Sequence, residues 1–398
     1  MKLARRLERI EPFYVMECAK AAARIAAGPA CDPAQGGTPM IYLNIGEPDF
    51  TAPPLVLEAA QRCLAAGRTQ YTDATGLPAL REALSAWYAH RHGLAIDPSR
   101  IVVTAGASAA LELACLALFE AGDEVLMPDP CYPCNRHFVA AADATPVLLP
   151  CGPQQRYQPD AAGIEAAWTA RTRGVLLASP SNPTGTSIAP DEMGRIVRAV
   201  RTRGGVTIAD EIYLGLSHDA AYARSALVHD APGGQDVIAV NSFSKYFSMT
   251  GWRLGWLVLP PALVAPVEKL AQNLFICPSS VAQHAALACF EPESMAEYER
   301  RRAAFTARRD WLVPALGEIG LEVPVMPDGA FYVWADCSRH AASSWDFVFD
   351  VMARAHVALT PGRDFGHAAT ERHVRLSYAS SLPQLQEAVH RLQRLLGG

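Results

Sequence analysis

The chain reads as an α/β protein with a large core and a second, smaller one. Two observations predict this. Short apolar, β-branched runs alternate with segments of helical periodicity, as in a sheet layered with helices. Four of those runs stop near a polar or aromatic residue, at Tyr132, Asn182, Asp210 and Lys245, and ligands of open α/β sheets sit at the carboxyl ends of strands. At 398 residues, 50% hydrophobic and 19% charged, the chain is long and apolar enough for both cores.

In chain order, Leu3, Leu7 and Ile10 share a helical spacing and read as a surface helix or tail. A helix over 12–27 ends at Gly28-Pro29, and a Gly/Pro-rich linker over 28–39 leads to a strand over 40–45. Gly46-Glu47-Pro48-Asp49-Phe50 is a turn by composition, followed by a helix over 53–67. Residues 101–104 form a strand, then Ala105-Gly106-Ala107-Ser108 opens an apolar helix through Leu118. A strand, small residues and a helix start make an anion site, because free N–H groups and the helix dipole favour negative charge there. No Gly-Lys-Ser/Thr follows, so it is not a Walker loop.

The strand over 125–128 runs into Asp129-Pro130-Cys131-Tyr132-Pro133, whose prolines fix a turn and aim Tyr132. The strand over 174–178 ends in Ser179-Pro180-Ser181-Asn182-Pro183-Thr184-Gly185, and the one over 206–209 in Asp210, with Tyr213 three residues on. An acid at a buried strand end is costly unless a cation pairs with it. After strands over 237–240 and 255–259 the chain turns helical, with a charged segment over 293–316. Two more strands follow, over 329–334 and 373–378, and alternation puts Val374 and Leu376 on one face and Arg375 on the other.

A net charge of −5 without a basic block argues against a nucleic-acid partner. No apolar run reaches the roughly 18–20 residues of a membrane span. The basic amino terminus has no apolar stretch of the secretory kind, and Glu8 and Glu11 speak against a transit peptide. Ten scattered cysteines then read as reduced thiols in a cytoplasm. Cys131 and Cys134 have redox-motif spacing but lie in a Pro-rich turn, away from the start of a thioredoxin-like unit. No second Cys or His pair stands at zinc spacing, so no metal is expected.

The chemistry centres on Lys245. Desolvation beside an apolar strand end lowers a lysine's pKa toward a nucleophilic amine, which condenses with an aldehyde to a Schiff base. Ser242 and Arg253 suit a phosphate anchor, one as a hydroxyl donor and the other as a fork of charged donors. Such a pairing is what pyridoxal phosphate needs. Residues 242–255 resemble the lysine motif of the class I/II aminotransferases, the aspartate aminotransferase family of fold-type-I enzymes. Gly46-Glu47-Pro48-Asp49 and Asn182-Pro183-Thr184-Gly185 are similar to two further signatures of that family.

The resemblance covers the chain from about residue 12 to its end. It implies a mostly parallel seven-stranded sheet in a large domain over 47–290, and a smaller α+β domain from 1–46 and 291–398. Lys245 and Asp210 become the catalytic pair with Tyr132 stacked on the ring, and Asp210 pairs with the ring nitrogen. Tyr213 and Asn182 reach the ring oxygen. Gly106, Ala107, Ser108, Ser242 and Arg253 surround the phosphate, with Ser244 a weaker candidate. Tyr71 crosses a homodimer interface to the neighbour's phosphate, while Gly46, Asn182 and Arg375 meet the substrate.

The implied activity moves an amino group from an L-amino acid to a 2-oxo acid by a ping-pong mechanism through Lys245. Two alternatives share parts of this motif set: a C–S (β/γ) lyase of the same fold, and a non-catalytic cofactor-binding sensor. The sensor needs a DNA-binding domain ahead of Pro12, where about eleven residues stand. Side-chain preference stays open. Arg136 and His137 follow Tyr132 and suit a carboxylate, whereas Phe13, Tyr14 and Ile45 suit an aromatic or aliphatic group.

Overall fold

The computed structural model describes residues 2–397. After a 3-10 turn at Arg5–Arg9 come α1 (Tyr14–Ala26) and β1 (Ile41–Tyr42). Helices α2 (Pro54–Ala65) and α3 (Pro78–His92) each begin on a proline, whose missing N–H costs nothing in a first turn. Then strand and helix alternate: β2 (Ile101–Thr104), α4 (Gly106–Leu118), β3 (Glu124–Asp129), α5 (Pro133–Ala141), β4 (Thr145–Pro150) and α6 (Ala161–Ala167). They continue with β5 (Thr172–Ala178), α7 (Pro190–Thr202), β6 (Val206–Asp210), β7 (Val237–Ser242) and β8 (Gly255–Val258).

These seven strands, β2 to β8, form one sheet in the order β2-β8-β7-β6-β5-β3-β4, parallel except for β8. Alternate residues divide its core. Val103, Leu126, Val175, Ala209 and Ala239 pack on one face, and Val102, Met127, Leu176, Ile208 and Ile238 on the other. Burial on both faces is why these strands read as continuous apolar runs. The chain leaves β3 for β4 on one side and returns to β5 on the other. A crevice therefore opens at the carboxyl ends of β3 and β5, the switch point of the topology.

Helices α8 (Pro261–Leu274) and α9 (Ser280–Ala286) lead to α10 (Pro292–Glu318), about 40 Å long at 1.5 Å per residue. Its buried Ser294, Tyr298, Phe305, Leu312 and Leu316 recur at spacings of four and seven, one stripe of a helix whose other faces carry the charged run. Beyond it come β9 (Tyr332–Asp336), α11 (Ser344–Ala355), β10 (Val357–Ala358), β11 (Thr360–Pro361), β12 (His373–Ser377) and α12 (Leu382–Leu396). Strands β11, β12 and β9 make an antiparallel sheet, and β1 pairs with β10 in parallel.

The strand expected over 40–45 contracts to Ile41–Tyr42. Past it the backbone carbonyls serve side chains: Asn44 accepts from Arg375 (2.8 Å) and Gly46 from Lys245 (2.5 Å). The strand expected over 329–334 starts later, at Tyr332. Among the described residues no helix is long and apolar enough to cross a membrane.

Candidate active site

A cavity of about 420 Å³ opens at the carboxyl ends of the sheet. It gathers Gly46, Ala107, Ser108, Tyr132, Asn182, Asp210, Tyr213, Ser242, Ser244, Lys245, Arg253 and Arg375 in its wall. Gly106 stands behind that wall against Arg253. Tyr71 does not join them: it is 79% exposed and lies outside the lining.

Lys245 follows β7 by three residues, on a turn pinned by buried Phe243. Part of its side chain faces the open cavity, but protein encloses the amine on all other sides. Burial draws that amine down from 10.5 to about 8; Glu47 opposes the shift, and Arg375 and Arg253 add to it. Asp210, at the end of β6, is pushed up to about 7 by burial, against the Ile212 N–H (3.2 Å) and the charge of Lys245. An amine whose neutral form becomes accessible near pH 8 and an acid that titrates near 7 therefore face one space.

The phosphate end is built by the β2–α4 connection, which is the single residue Ala105. Gly106 has φ +87°, and a Cβ there would fall 2.5 Å from Arg253 Nη2. Only glycine lets α4 begin this close to the guanidinium, leaving the first-turn N–H groups of Ala107 and Ser108 beside it. Ser242 Oγ donates to Ser244 Oγ (2.9 Å), and Arg253 Nη1 donates to the Thr250 carbonyl (2.9 Å). Arg253 is exposed on its outer side, and both serines are buried.

At the opposite end Arg375, on β12, is 3% exposed. Its Nη1 donates to Asn182 Oδ1 (2.9 Å), and Nη2 to the Asn44 carbonyl and to Thr360 Oγ1 (3.3 Å). The guanidinium lies 4.4 Å from the Tyr332 ring centroid and 5.1 Å from that of Phe365. Arg375 Nε and Asn44 Oδ1 are buried without a partner, so the site holds unmet polar capacity around its carboxylate fork.

The residues fit pyridoxal phosphate. A helix start with two hydroxyls and an arginine suits its phosphate, and buried Asp210 suits a cationic ring nitrogen. Tyr213 and Asn182 suit the ring oxygen, and the Lys245 amine, its pKa lowered by burial, suits the aldehyde.

The remaining wall has an apolar side, made by Phe13 just ahead of α1, Val15, Met16 and Ala19 on it, and Ile45, Leu111 and Ile212, with Asn44, Glu47, Thr250 and Tyr332 as its polar members. The start of α1 has no side-chain cap of its own; Asp364 supplies one, accepting from Tyr14 N (3.1 Å) and Val15 N (2.8 Å). Arg136 does not reach the cavity. Buried on α5, its Nη2 donates to Glu11 Oε2 (3.0 Å) and both terminal nitrogens to the Asp364 carbonyl (3.2 Å). His137 and Tyr14 also lie outside the lining, and Tyr14 packs edge-on against Trp345.

Tyr332, Asn44 and Thr360 escaped the sequence reading. Tyr332 was legible only as a strand residue, and the other two act through a distant arginine. The α1 wall carries a fainter signal, since 13, 16 and 19 recur at intervals of three along one side of a helix start.

An open α/β sheet that brings an amine, an acid and an anion cradle together at the carboxyl ends of its strands suits an enzyme that works through a carbonyl cofactor. Solved structures share the whole architecture. An aminotransferase from Mycobacterium tuberculosis superposes with a TM-score of 0.93 at 38% identity, over 100% of this chain and 99% of that one. The aspartate aminotransferase from Thermus thermophilus with maleate gives 0.90 at 32% identity, with both chains fully covered. Among curated relatives, the valine–pyruvate aminotransferase of Mycobacterium tuberculosis is 39% identical over 383 residues, 96% of each chain. The aspartate aminotransferase of Geobacillus stearothermophilus is 33% identical over 402 residues, 100% of this chain and 99% of that one. Residues 38–392 match the model of aminotransferase class I and II, so the chain belongs to that family and is a pyridoxal-phosphate-dependent aminotransferase. Of the readings the lysine motif left open, the comparisons favour this one over the lyase and the sensor.

Proposed function

We propose that the enzyme moves the amino group of an L-amino acid with an apolar side chain to a 2-oxo acid, in two half-reactions through Lys245. The observation that carries the apolar preference is the charge inventory of the cavity. Among the described residues of one chain the lining has three cations: Lys245 at the centre, Arg253 at the phosphate cradle and Arg375 at the carboxylate fork. None is left for a side-chain carboxylate, and Glu47 at the cavity wall would repel one. Met16 and Ile45 line it and are 54% and 45% exposed, so an aliphatic side chain against them would cover apolar area. One relative bears the name valine–pyruvate aminotransferase, which supports this reading, although others are named for aspartate.

When bound, pyridoxal phosphate supplies an aldehyde that takes up an amine and a ring that withdraws electrons from it. Lys245 provides the nucleophilic amine that the substrate displaces. Once freed, its Nζ would take the proton from the substrate Cα and later give it back, a general base and acid in turn. Asp210 keeps the ring nitrogen protonated, and Tyr213 and Asn182 donate to the ring oxygen. Tyr132 packs on the ring face. The N–H groups at the start of α4, with Ser242, Ser244 and Arg253, hold the phosphate. Arg375 takes the substrate carboxylate in a bidentate pair. We assign residues 47–290 to the unit that holds the cofactor, and 1–46 with 291–398 to the unit that brings Arg375. The working form is a cytoplasmic homodimer, with Tyr71 serving the partner's phosphate cradle.

The test is a single-turnover absorbance assay, mixing cofactor-loaded enzyme with one amino acid and no oxo acid. Valine and leucine should convert the cofactor to its aminated form at least tenfold faster than aspartate or glutamate. Lys245→Ala should abolish conversion while still retaining cofactor. Faster conversion by the acidic donors would overturn the apolar reading, and near-normal turnover of the lysine variant would overturn the site.

A further inference from the structure

The mechanism leaves the hydroxyl of Tyr332, in the cavity wall, without a task. It lies 2.9 Å from the hydroxyl of Tyr213, and both side chains are buried. Among the described residues neither hydroxyl has another hydrogen-bond partner. The position is tightly set. The Tyr332 ring packs beneath the Arg375 guanidinium, and its hydroxyl lies 2.8 Å from where a Cβ on Gly46 would stand. Strand β9 delivers it: Tyr332 opposes Ser377 on β12, two positions from the pair that sets Arg375 opposite Trp334.

Two phenols carry two protons, and one of them occupies the bond they share. If Tyr213 donates to the cofactor's ring oxygen, as the site reading above requires, its single proton is committed there. The shared bond is then made by the proton of Tyr332. We propose that Tyr332 is a positioning residue that donates to Tyr213 and so makes Tyr213 a stronger donor to the ring oxygen. A hydroxyl that accepts a hydrogen bond is polarised and donates more strongly in its turn. The charged and titratable groups facing the pair are Arg375 above Tyr332, Lys245 over the Tyr213 ring at 5.9 Å, and Tyr132 and Asp210 across the cavity. Burial raises both phenols above their ordinary pKa, so each keeps its proton through the working range.

A stronger donor at the ring oxygen stabilises negative charge there and lets the bound chromophore lose its proton at lower pH. Tyr332→Phe keeps the ring under Arg375 and removes the donor. The pH at which the bound cofactor's absorption band changes should rise by roughly a few tenths of a unit, since one bond strengthens its neighbour by about 10–30%. Tyr213→Phe should raise it further, by about one to two units, the scale of a hydrogen bond to a charged group. The double variant should match Tyr213→Phe alone, because Tyr332 acts only through Tyr213. Affinity for 3-methylbutanoate, a carboxylate without an amino group, should be unchanged in Tyr332→Phe, since Arg375 bonds to Asn182, Asn44 and Thr360 and not to this hydroxyl.

The proposal rests on the reading of Tyr213, and the outcomes separate the two. No shift in Tyr213→Phe removes that reading and the proposal with it. A shift in Tyr213→Phe with none in Tyr332→Phe removes the proposal alone. So does a double variant whose shift exceeds that of Tyr213→Phe, or a loss of carboxylate affinity in Tyr332→Phe, either of which would mean that Tyr332 acts by packing.

Discussion

Asp210 and Lys245 are displaced toward each other, the acid up to about 7 and the amine down to about 8, and burial is the first cause of both shifts. Cofactor-free protein should report the acid's shift as pH-dependent stability. In the unfolded chain Asp210 releases its proton near 3.8, while the folded chain holds it to about 7. The stability that this bound proton contributes is fully present below about pH 4 and is lost as pH rises through 7. Asp210→Asn cannot ionise, so it should melt at the same temperature as the parent at pH 4 and progressively higher than the parent toward pH 8. Melting curves of the two cofactor-free proteins across that range check it, and a gap that does not vary with pH would refute it. Neighbouring Glu211 is also raised to about 7 by burial, so the variant itself should still lose some stability over the same window. Lys245 and Asp210 were legible in the sequence because each is a charged type at an apolar strand end, where burial makes it expensive and asks for a partner, while Asn182 and Arg253 were legible through the motifs that carry them. Tyr332 was not, because its hydroxyl acquires meaning only through Tyr213, 119 residues away and past the end of a strand of the larger sheet.

Between residue and molecule, the same rule sorts the elements. Strands β2, β3, β5, β6 and β7 could be read from the sequence because helices on both sides of the sheet force continuous apolar runs. Strand β4 lies at the sheet edge, half-buried along most of its length, and its mixed exposure gives no such run. Strands β10 and β11 are two residues each, too short for any period to show. Helix α1 could be read as a helix, and Phe13 and Tyr14 at its start as candidate lining, but not the contact that seats it, since its cap is Asp364, 350 residues from Tyr14. Removing this cap tests the wall. Asp364→Ala frees the Tyr14 and Val15 N–H groups but spares Arg136, which binds the Asp364 carbonyl rather than its carboxylate. The helix start should loosen at a cost of about 1–2 kcal/mol. Measured by steady-state kinetics, KM for an aliphatic amino acid should rise several-fold with kcat nearly unchanged, because Phe13, Val15 and Met16 line the apolar side of the cavity proposed to take the substrate side chain. An unchanged KM in a folded variant would show that α1 does not bind substrate.

At the scale of the molecule, a single chain gathers every proposed contact of the site except one. Tyr71 stands on the surface, with Leu274 and Ile276 each half exposed, while the cradle it is meant to complete has Arg253 open on its outer side. A two-fold arrangement would resolve both, because an isologous interface gives each copy what it gives the other. The division of labour this implies has a sharp genetic signature. Lys245→Ala and Tyr71→Ala are each expected to be nearly inactive as homodimers, one lacking the amine and the other a cofactor contact. In a mixed dimer one site carries both lesions, and the other has an intact Lys245 served by the partner's intact tyrosine. Random reassociation of equal amounts, after dissociation in mild denaturant, makes half of the dimers mixed with one sound site in two. Activity should therefore return to about a quarter of the parent's. If Tyr71 served its own subunit instead, each chain would carry a broken site and mixing would restore nothing. Assaying the remixed protein against each variant passed through the same denaturant cycle alone decides between the two, since refolding alone cannot produce activity that appears only in the mixture.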